Sequence, residues 1–467
     1  NESLDQKKKD NFQLCNKLYN QYLEIISKKL SNYFEIDKDK KFYEILIGYW
    51  LLRIIHLSLD VVENYKNLEI GKSDTVIAEK FNYKNLINLN LSNFNVLTSQ
   101  YCFHNQLISL FFDEVVSHPN IYPIFIDREG NDVKKYQLNY KKKNPISKIF
   151  YLLQNLKNSI FQPDKIILSH LFFFPLKNKI YSYREIFKSY KLFLNFFLTK
   201  KINYLVSTKF DFSFRNSKNE IDLKKRKLVF SFESKNLLEK MINKVIVYSF
   251  PIECFEKFRI YNNKNFRKFK KIFNTGPHLA DGYVKFSIAD AVTNGSKLIL
   301  NQVGGSYGVV KNLISQEFDF KIADKFMSWG WADEDNLNVF PWTSRLGNSL
   351  SLLAQKKKHS IKKKKIILVL ANLHIPRREW GDRMQPEQFI NYAKRNLLLL
   401  DKIDKKFKKE LFIRPYHLRK DCLITNNFFK KNYRFTNDNY YKNILESKLT
   451  ICTYNSTTFL ECFAINA

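Results

Sequence analysis

Near its C-terminal end the chain reads Leu449-Thr-Ile-Cys-Thr-Tyr-Asn455-Ser456-Thr457-Thr458-Phe459-Leu-Glu461. The order is a short buried strand, a turn of small hydroxyl and amide side chains, then an opening helix. The first N–H groups of that helix have no intrahelical partners, and the positive end of its dipole lies behind them. Such a turn binds anions, phosphates above all. Glu461 falls one helical turn after Thr457, where it can accept hydrogen bonds from ribose hydroxyls or simply serve the helix dipole. Two other segments carry complementary chemistry. Arg414-Pro415-Tyr416-His417 follows the apolar Leu411–Ile413. A planar guanidinium at a strand end suits bidentate contact with a diphosphate, though an ordinary surface ion pair uses the same residue. Gln302-Val303-Gly304-Gly305-Ser306-Tyr307-Gly308 follows the apolar Leu298–Asn301. Its glycines allow close backbone approach to a ligand or another domain, or a tight turn between strand and helix. It is neither GxGxxG nor a P-loop.

Acid–base candidates lie in Asn274-Thr-Gly-Pro-His278-Leu-Ala-Asp281-Gly282, where His278 or Asp281 would deprotonate an acceptor hydroxyl. With eight histidines in the chain, a single His is a weak signal. Arg377, Arg378 and Arg383 are phosphate or acceptor ligands, or parts of a solvated loop. Trp329 and Trp331 flank Gly330 and form either an apolar platform or core. No acidic cluster suggests a fixed metal. The six cysteines, at 15, 102, 254, 422, 452 and 462, form no CxxC pair, so zinc and a disulfide framework are disfavoured and a reducing cytoplasm fits.

These groups need a scaffold, and 467 residues suffice for two or more domains with real cores. Hydrophobic residues make up 45% of the chain, so it is globular and not disordered. The net charge of +33 accompanies abundant Lys, Asn, Ile, Phe and Tyr with scarce Gly and Pro, a composition that codon bias in an AT-rich genome produces. The same charge would attract anionic lipid, an anionic saccharide or nucleic acid. Lysines spread over the whole chain, not gathered with aromatics in one stripe, argue against specific nucleic-acid binding. The longest uncharged apolar stretch near the N-terminus, Ile45–Leu52, falls far short of a membrane span, so membrane contact is expected to be peripheral.

Residues 1–90 form an N-terminal helical segment; its Phe42–Asp60 helix is expected to pack in the core, with a polar face at Arg53 and His56 as the alternative. Residues 91–342 alternate apolar runs with helices. Strands are expected at Phe94–Leu97, Ile121–Ile126, Ile202–Val206, Lys244–Phe250, Lys271–Thr275 and Lys297–Asn301, and helices at Asn105–Val115 and Tyr183–Leu198. The polar segment 207–227, ending in Lys224-Lys-Arg-Lys227, reads as a surface loop or hairpin. Residues 343–365, with two lysine runs, read as a linker. In 366–467 strands are expected at Ile366–Ala371, Leu411–Ile413, Tyr433–Thr436 and Leu449–Thr453, with a helix over Pro386–Lys409. Alternating strands and helices make the fold class α/β, with parallel sheets covered on both faces.

Five blocks in order carry a family resemblance: Phe42-Tyr-Glu-Ile-Leu-Ile-Gly-Tyr-Trp50, Asn301-Gln-Val-Gly-Gly-Ser-Tyr-Gly308, Ala323-Asp-Lys-Phe-Met-Ser-Trp-Gly-Trp331, Arg414-Pro-Tyr416 and Thr453-Tyr-Asn-Ser-Thr-Thr-Phe-Leu-Glu461. Across nearly its whole length the chain resembles the LIC-type transferases of bacterial surface-polysaccharide loci. The resemblance implies a GT-B-like architecture of two Rossmann-like domains, with the donor nucleotide held by the C-terminal one. The family's glycine block usually reads Gln-His-Gly-Gly, whereas here Val303 stands at the second position. Family members also continue past Ala467, so the C-terminal domain is expected to be truncated.

The expectation is therefore a metal-independent glycosyltransferase with no cofactor besides its nucleotide-sugar donor, acting on a glycan or lipid-linked glycan. It would be cytoplasmic, with peripheral contact on the inner face of the cell membrane. Arg414, Asn455, Ser456, Thr457 and Thr458 would hold the diphosphate, and Glu461 the ribose. Gln302, Gly304, Gly305, Tyr307 and Gly308 would line the cleft, with Asp281 or His278 as base. A CDP-alditol phosphotransferase of the same fold and a degenerate, non-catalytic binding protein are the alternatives.

Overall fold

The computed structural model describes residues 2–67, 77–88, 91–98, 100–116, 124–126, 165–167, 173–176, 179–182, 202–204, 221–262, 270–274, 282–342, 365–371, 386–415, 428–429, 432–436, 440–454 and 457–465. Among these, the helices are α1 (Glu2–Phe34), α2 (Lys40–Lys66), α3 (Leu91–Leu97), α4 (Tyr101–Leu110), α5 (Leu223–Val229), α6 (Leu237–Ser249), α7 (Phe258–Asn262), α8 (Gly282–Thr293), α9 (Ile314–Ile322), α10 (Pro386–Asp401), α11 (Lys405–Lys408), α12 (Tyr440–Glu446) and α13 (Thr457–Ile465). The strands are β1 (Ile77–Glu79), β2 (Ile124–Ile126), β3 (Lys165–Ile167), β4 (Phe173–Leu176), β5 (Lys179–Ser182), β6 (Ile202–Tyr204), β7 (Lys271–Asn274), β8 (Lys297–Asn301), β9 (Lys325–Ser328), β10 (Val339–Pro341), β11 (Lys365–Val369), β12 (Leu411–Arg414) and β13 (Ser447–Cys452). The class is mixed α/β, and the strand pairs are parallel apart from the β4–β5 hairpin. The chain divides into two compact units. The first takes Asn1–His170, Lys191–Leu300 and Phe318–Asp324, and the second takes Leu171–Tyr190, Asn301–Glu317 and Lys325–Ala467.

In the first unit, β6, β3, β7 and β8 lie side by side in that order. Asp39, in an extended conformation, starts α2 by accepting the Phe42 N–H at 2.9 Å. The helix then buries nearly every residue from Phe42 to Val62, so it has no polar face. The core reading of this helix holds even at Arg53 and His56, which are 1% and 3% exposed. A buried guanidinium is tolerable because it is hydrogen-bonded: Arg53 donates to Thr98 Oγ1 and Asn95 Oδ1 and lies 4.7 Å above the Phe94 ring. By length and composition α2 could cross a bilayer, but its most apolar window is 89% buried inside the protein.

Two expected strands of this unit are helices. Phe94–Leu97 lies in α3, where Phe94 and Leu97 share a buried face at i, i+3. Lys244–Phe250 is the end of α6. Asn236 accepts the Glu239 N–H at 2.9 Å, and Glu239 in turn accepts the Lys235 N–H at 2.8 Å. That reciprocal cap commits the following residues to a helix whose face is Leu238, Met241, Ile242 and Val245. The lysine-rich end of the expected 207–227 loop is helical too, because Asp222 caps α5 by accepting the Lys225 N–H. Within α5, Arg226 is fully buried. It forms a bidentate pair with Glu256 at 2.6 and 2.7 Å and donates to the Val247 and Tyr248 carbonyls at the end of α6.

The second unit contains the β9–β10 pair and a three-stranded sheet ordered β12-β11-β13. Ile366, Leu368 and Leu370 from β11 and its continuation join Leu411 and Ile413 of β12 in one cluster, which Ala393 and Leu400 of α10 cover. The expected Pro386–Lys409 helix ends early, at Asp401. Asp404 accepts the Lys406 N–H at 2.9 Å and starts the separate α11, a local bond that competes with helix continuation. The expected strand at Tyr433–Thr436 contributes one isolated bridge, between Ile413 and Phe435. The expected Tyr183–Leu198 helix and most of the 343–365 linker lie outside the described residues.

Candidate phosphate-binding site

Parallel strands present ligands at their carboxyl ends, and in the second unit the register aligns those ends. Val369 of β11 stands level with Arg414 of β12 on one side and Cys452 of β13 on the other. Arg414 and Cys452 are therefore two strand spacings apart, roughly 9–10 Å. Arg414 is half-buried, and its carbonyl accepts the Leu370 N–H at 2.9 Å.

After β13 the chain enters α13 at Thr457, as the turn chemistry of the sequence predicts. Thr457 Oγ1 accepts the Gly305 N–H at 3.1 Å. The structure thus brings together two segments that the sequence reading selected independently, 152 residues apart. In this bond the Thr457 hydroxyl acts as acceptor, so its own proton is not used by it. Gly304 lies against the same hydroxyl: a Cβ there would sit 4.0 Å from Thr457 Oγ1. Thr458 is half-buried in the first turn of α13, and Glu461 is buried one turn further on.

The glycine loop is held from beneath by Gln302, which is 2% exposed. Its Oε1 accepts the Trp329 N–H at 2.7 Å and the Trp331 indole N–H at 2.9 Å, while its Nε2 donates to the Gly304 carbonyl at 2.7 Å. Gln302 was expected to line a cleft; it is an internal strut. Tyr307 is likewise interior, stacked on Phe326 with centroids 5.6 Å apart. Gly308 adopts φ +73°, and the Trp331 ring lies where a Cβ would project. Trp331 is therefore support for the loop, and Val303 remains as the exposed apolar residue between Gln302 and Gly304.

Two further groups at this edge escaped the sequence reading. The Tyr392 hydroxyl of α10 meets Thr453, and the side chains of Cys452 and Cys462 pack against each other. Interaction with the neighbouring Cys462 thiol holds the Cys452 thiol below the usual range, against desolvation and the charge of Glu461, and pushes the Cys462 thiol up. Single tyrosines on a helix carry no distinguishing pattern, and Cys452 and Cys462 become partners only through the intervening turn. Asn455, Ser456, Tyr416, His417, His278, Asp281, Arg377, Arg378 and Arg383 lie outside the described residues. Among the described residues, no three His, Cys, Asp or Glu side chains gather to hold a metal ion.

Thr457, at the start of α13, and Arg414, at the end of β12, thus follow or close parallel strands at their carboxyl ends. The chain belongs to the LIC12162 family of transferases, whose family model matches residues 3–467. No curated protein and no solved structure matches it.

Proposed function

We propose that the protein is a GT-B-like glycosyltransferase that moves a sugar from a nucleotide-activated donor to a hydroxyl of a surface glycan. The observation that carries this reading is the bond from Gly305 N–H to Thr457 Oγ1, at the start of α13 and at the sheet edge where Arg414 ends β12. Hydrogen-bond donors and a guanidinium fixed there would stabilise the negative charge that develops on a departing nucleoside diphosphate. In this reading Asn455, Ser456 and Thr458 complete the cradle and Glu461 orients the ribose. Asp281 or His278 takes the acceptor proton, without a metal. The two Rossmann-like domains, the cytoplasmic location, the lipid-linked glycan acceptor and contact with anionic membrane belong to the same proposal.

The test is the identity of the released nucleotide. Incubation with UDP-, GDP- and CDP-linked donors plus a glycan acceptor should release a nucleoside diphosphate and add a hexose-sized mass to the acceptor. Release of CMP from a CDP-alditol, with a phosphorylated mass increment, would instead establish the phosphotransferase. One observation favours a non-catalytic protein: Val303 is exposed beside the glycines, where the resemblance calls for histidine. A gain of turnover in Val303→His would show that the imidazole is the missing group. Donor turnover by the unaltered chain would exclude the non-catalytic reading.

A further inference from the structure

We propose that Tyr392 is a positioning residue for Thr457, acting through Thr453. This rests on the reading of Thr457 as a phosphate ligand. The Ala371 N–H donates to Tyr392 Oη at 2.9 Å. Tyr392 Oη is bonded to Thr453 Oγ1. The Thr453 hydroxyl donates to the Val369 carbonyl at 2.6 Å. Its only proton is thereby used, so the Tyr392 O–H must be the donor to Thr453 Oγ1. The relay has one direction throughout: Ala371 N–H to Tyr392, Tyr392 O–H to Thr453, Thr453 O–H to Val369.

Its placement gives it a role beyond packing. Thr453 directly follows β13 and Ala371 lies two residues beyond β11, at the edge where ligands meet a parallel sheet. Thr453 is also four residues before Thr457, where α13 begins. The backbone bond from the Thr453 N–H to the Val369 carbonyl is long, 3.4 Å, so the side-chain relay is the tighter tie. Burial raises the Tyr392 phenol above its ordinary range, which keeps its proton available to donate. A cradle for a diphosphate needs its donors held to a fraction of an ångström, and such precision comes from supporting bonds of this kind.

The experiment titrates the full chain with inorganic pyrophosphate and with UDP, GDP and CDP, alongside thermal unfolding. Tyr392→Phe and Thr453→Val should each weaken pyrophosphate binding on the order of tenfold, the size of one lost hydrogen bond. Because both cut one relay, the double variant should bind no worse than the weaker single one. Thr453→Ser keeps the hydroxyl and should retain binding. Tyr433→Phe removes a phenol bonded to Asp401 elsewhere in the unit and should leave affinity unchanged. If Thr457→Val weakens binding while Tyr392→Phe and Thr453→Val bind like the unaltered chain, the positioning role is wrong and the phosphate site stands. If Thr457→Val binds pyrophosphate like the unaltered chain, the phosphate reading falls and the positioning role falls with it. Should Tyr392→Phe fail to fold, the Thr453 pair decides alone.

Discussion

Replacing Gly308 by alanine tests whether the loop above Gln302 is as tightly fixed as the geometry indicates. Two separate costs apply. Gly308 has φ +73°, a left-handed conformation that costs a residue with a Cβ roughly 1–2 kcal/mol. The new methyl would also lie 2.7, 2.9 and 3.0 Å from three atoms of the Trp331 indole. Trp331 is anchored by its N–H bond to Gln302, so the ring moves only by disturbing the strut. Overpacking of that kind costs about 1–3 kcal/mol. Gly330→Ala is the internal reference: its φ is +92°, but nothing lies within 4 Å of its Cβ, so only the backbone cost applies. In urea unfolding followed by tryptophan fluorescence, Gly308→Ala should be less stable than Gly330→Ala by about 1–3 kcal/mol. Pyrophosphate affinity should fall only in the former, since Gln302 also holds the Gly304 carbonyl. Equal stability of the two variants within about 0.5 kcal/mol, the scatter of ordinary surface changes, would refute the reasoning.

Three further outcomes follow from the same structure. Gly304→Ala should keep stability within about 1 kcal/mol of the unaltered chain in urea unfolding and bind pyrophosphate as the unaltered chain does, because its Cβ meets only Thr457 Oγ1, at an ordinary contact of 4.0 Å. Cys452 should react with iodoacetamide at lower pH than an ordinary thiol, because the neighbouring Cys462 thiol favours its thiolate; Cys462→Ala should move the alkylation midpoint upward, as peptide mapping against pH would show. Lys285 is fully buried and pairs with Glu253 at 2.6 Å, so Lys285→Met should destabilise the fold by about 3–5 kcal/mol in denaturant titration by stranding a carboxylate.

The candidate site was legible where local chemistry alone dictates form. A small-hydroxyl turn before an apolar run announced α13, and a glycine cluster after an apolar run announced the loop that reaches Thr457. Short apolar runs also placed the strand ends at Ile413 and Thr453, each within one residue of those observed, Arg414 and Cys452. Reading failed where a four- to seven-residue apolar run fits either period. Lys244–Phe250 alternates well enough for a strand, and only the cap at Asn236 and Glu239, eight and five residues upstream, shows that the helix has already begun. The roles of Gln302 and Trp331 were invisible for a different reason. A glutamine after a strand looks like a ligand contact until its three partners are known, and those partners depend on how β9 ends. The burial of α2 was legible from its apolar density, but the partners that make a buried Arg53 tolerable, Asn95 of α3 and Thr98 just after it, were not.

The most direct test of the account is a thermal-shift titration of the full chain with UDP, GDP and CDP, each beside its nucleoside, repeated on Thr457→Val and Arg414→Ala. The account predicts that one diphosphate at a hundred times its Kd stabilises the unaltered chain by about 2.7 kcal/mol, that its nucleoside does far less, and that both variants lose most of the shift. Equal shifts from diphosphate and nucleoside, or variants that respond like the unaltered chain, would contradict the assignment of a phosphate site to Thr457 and Arg414.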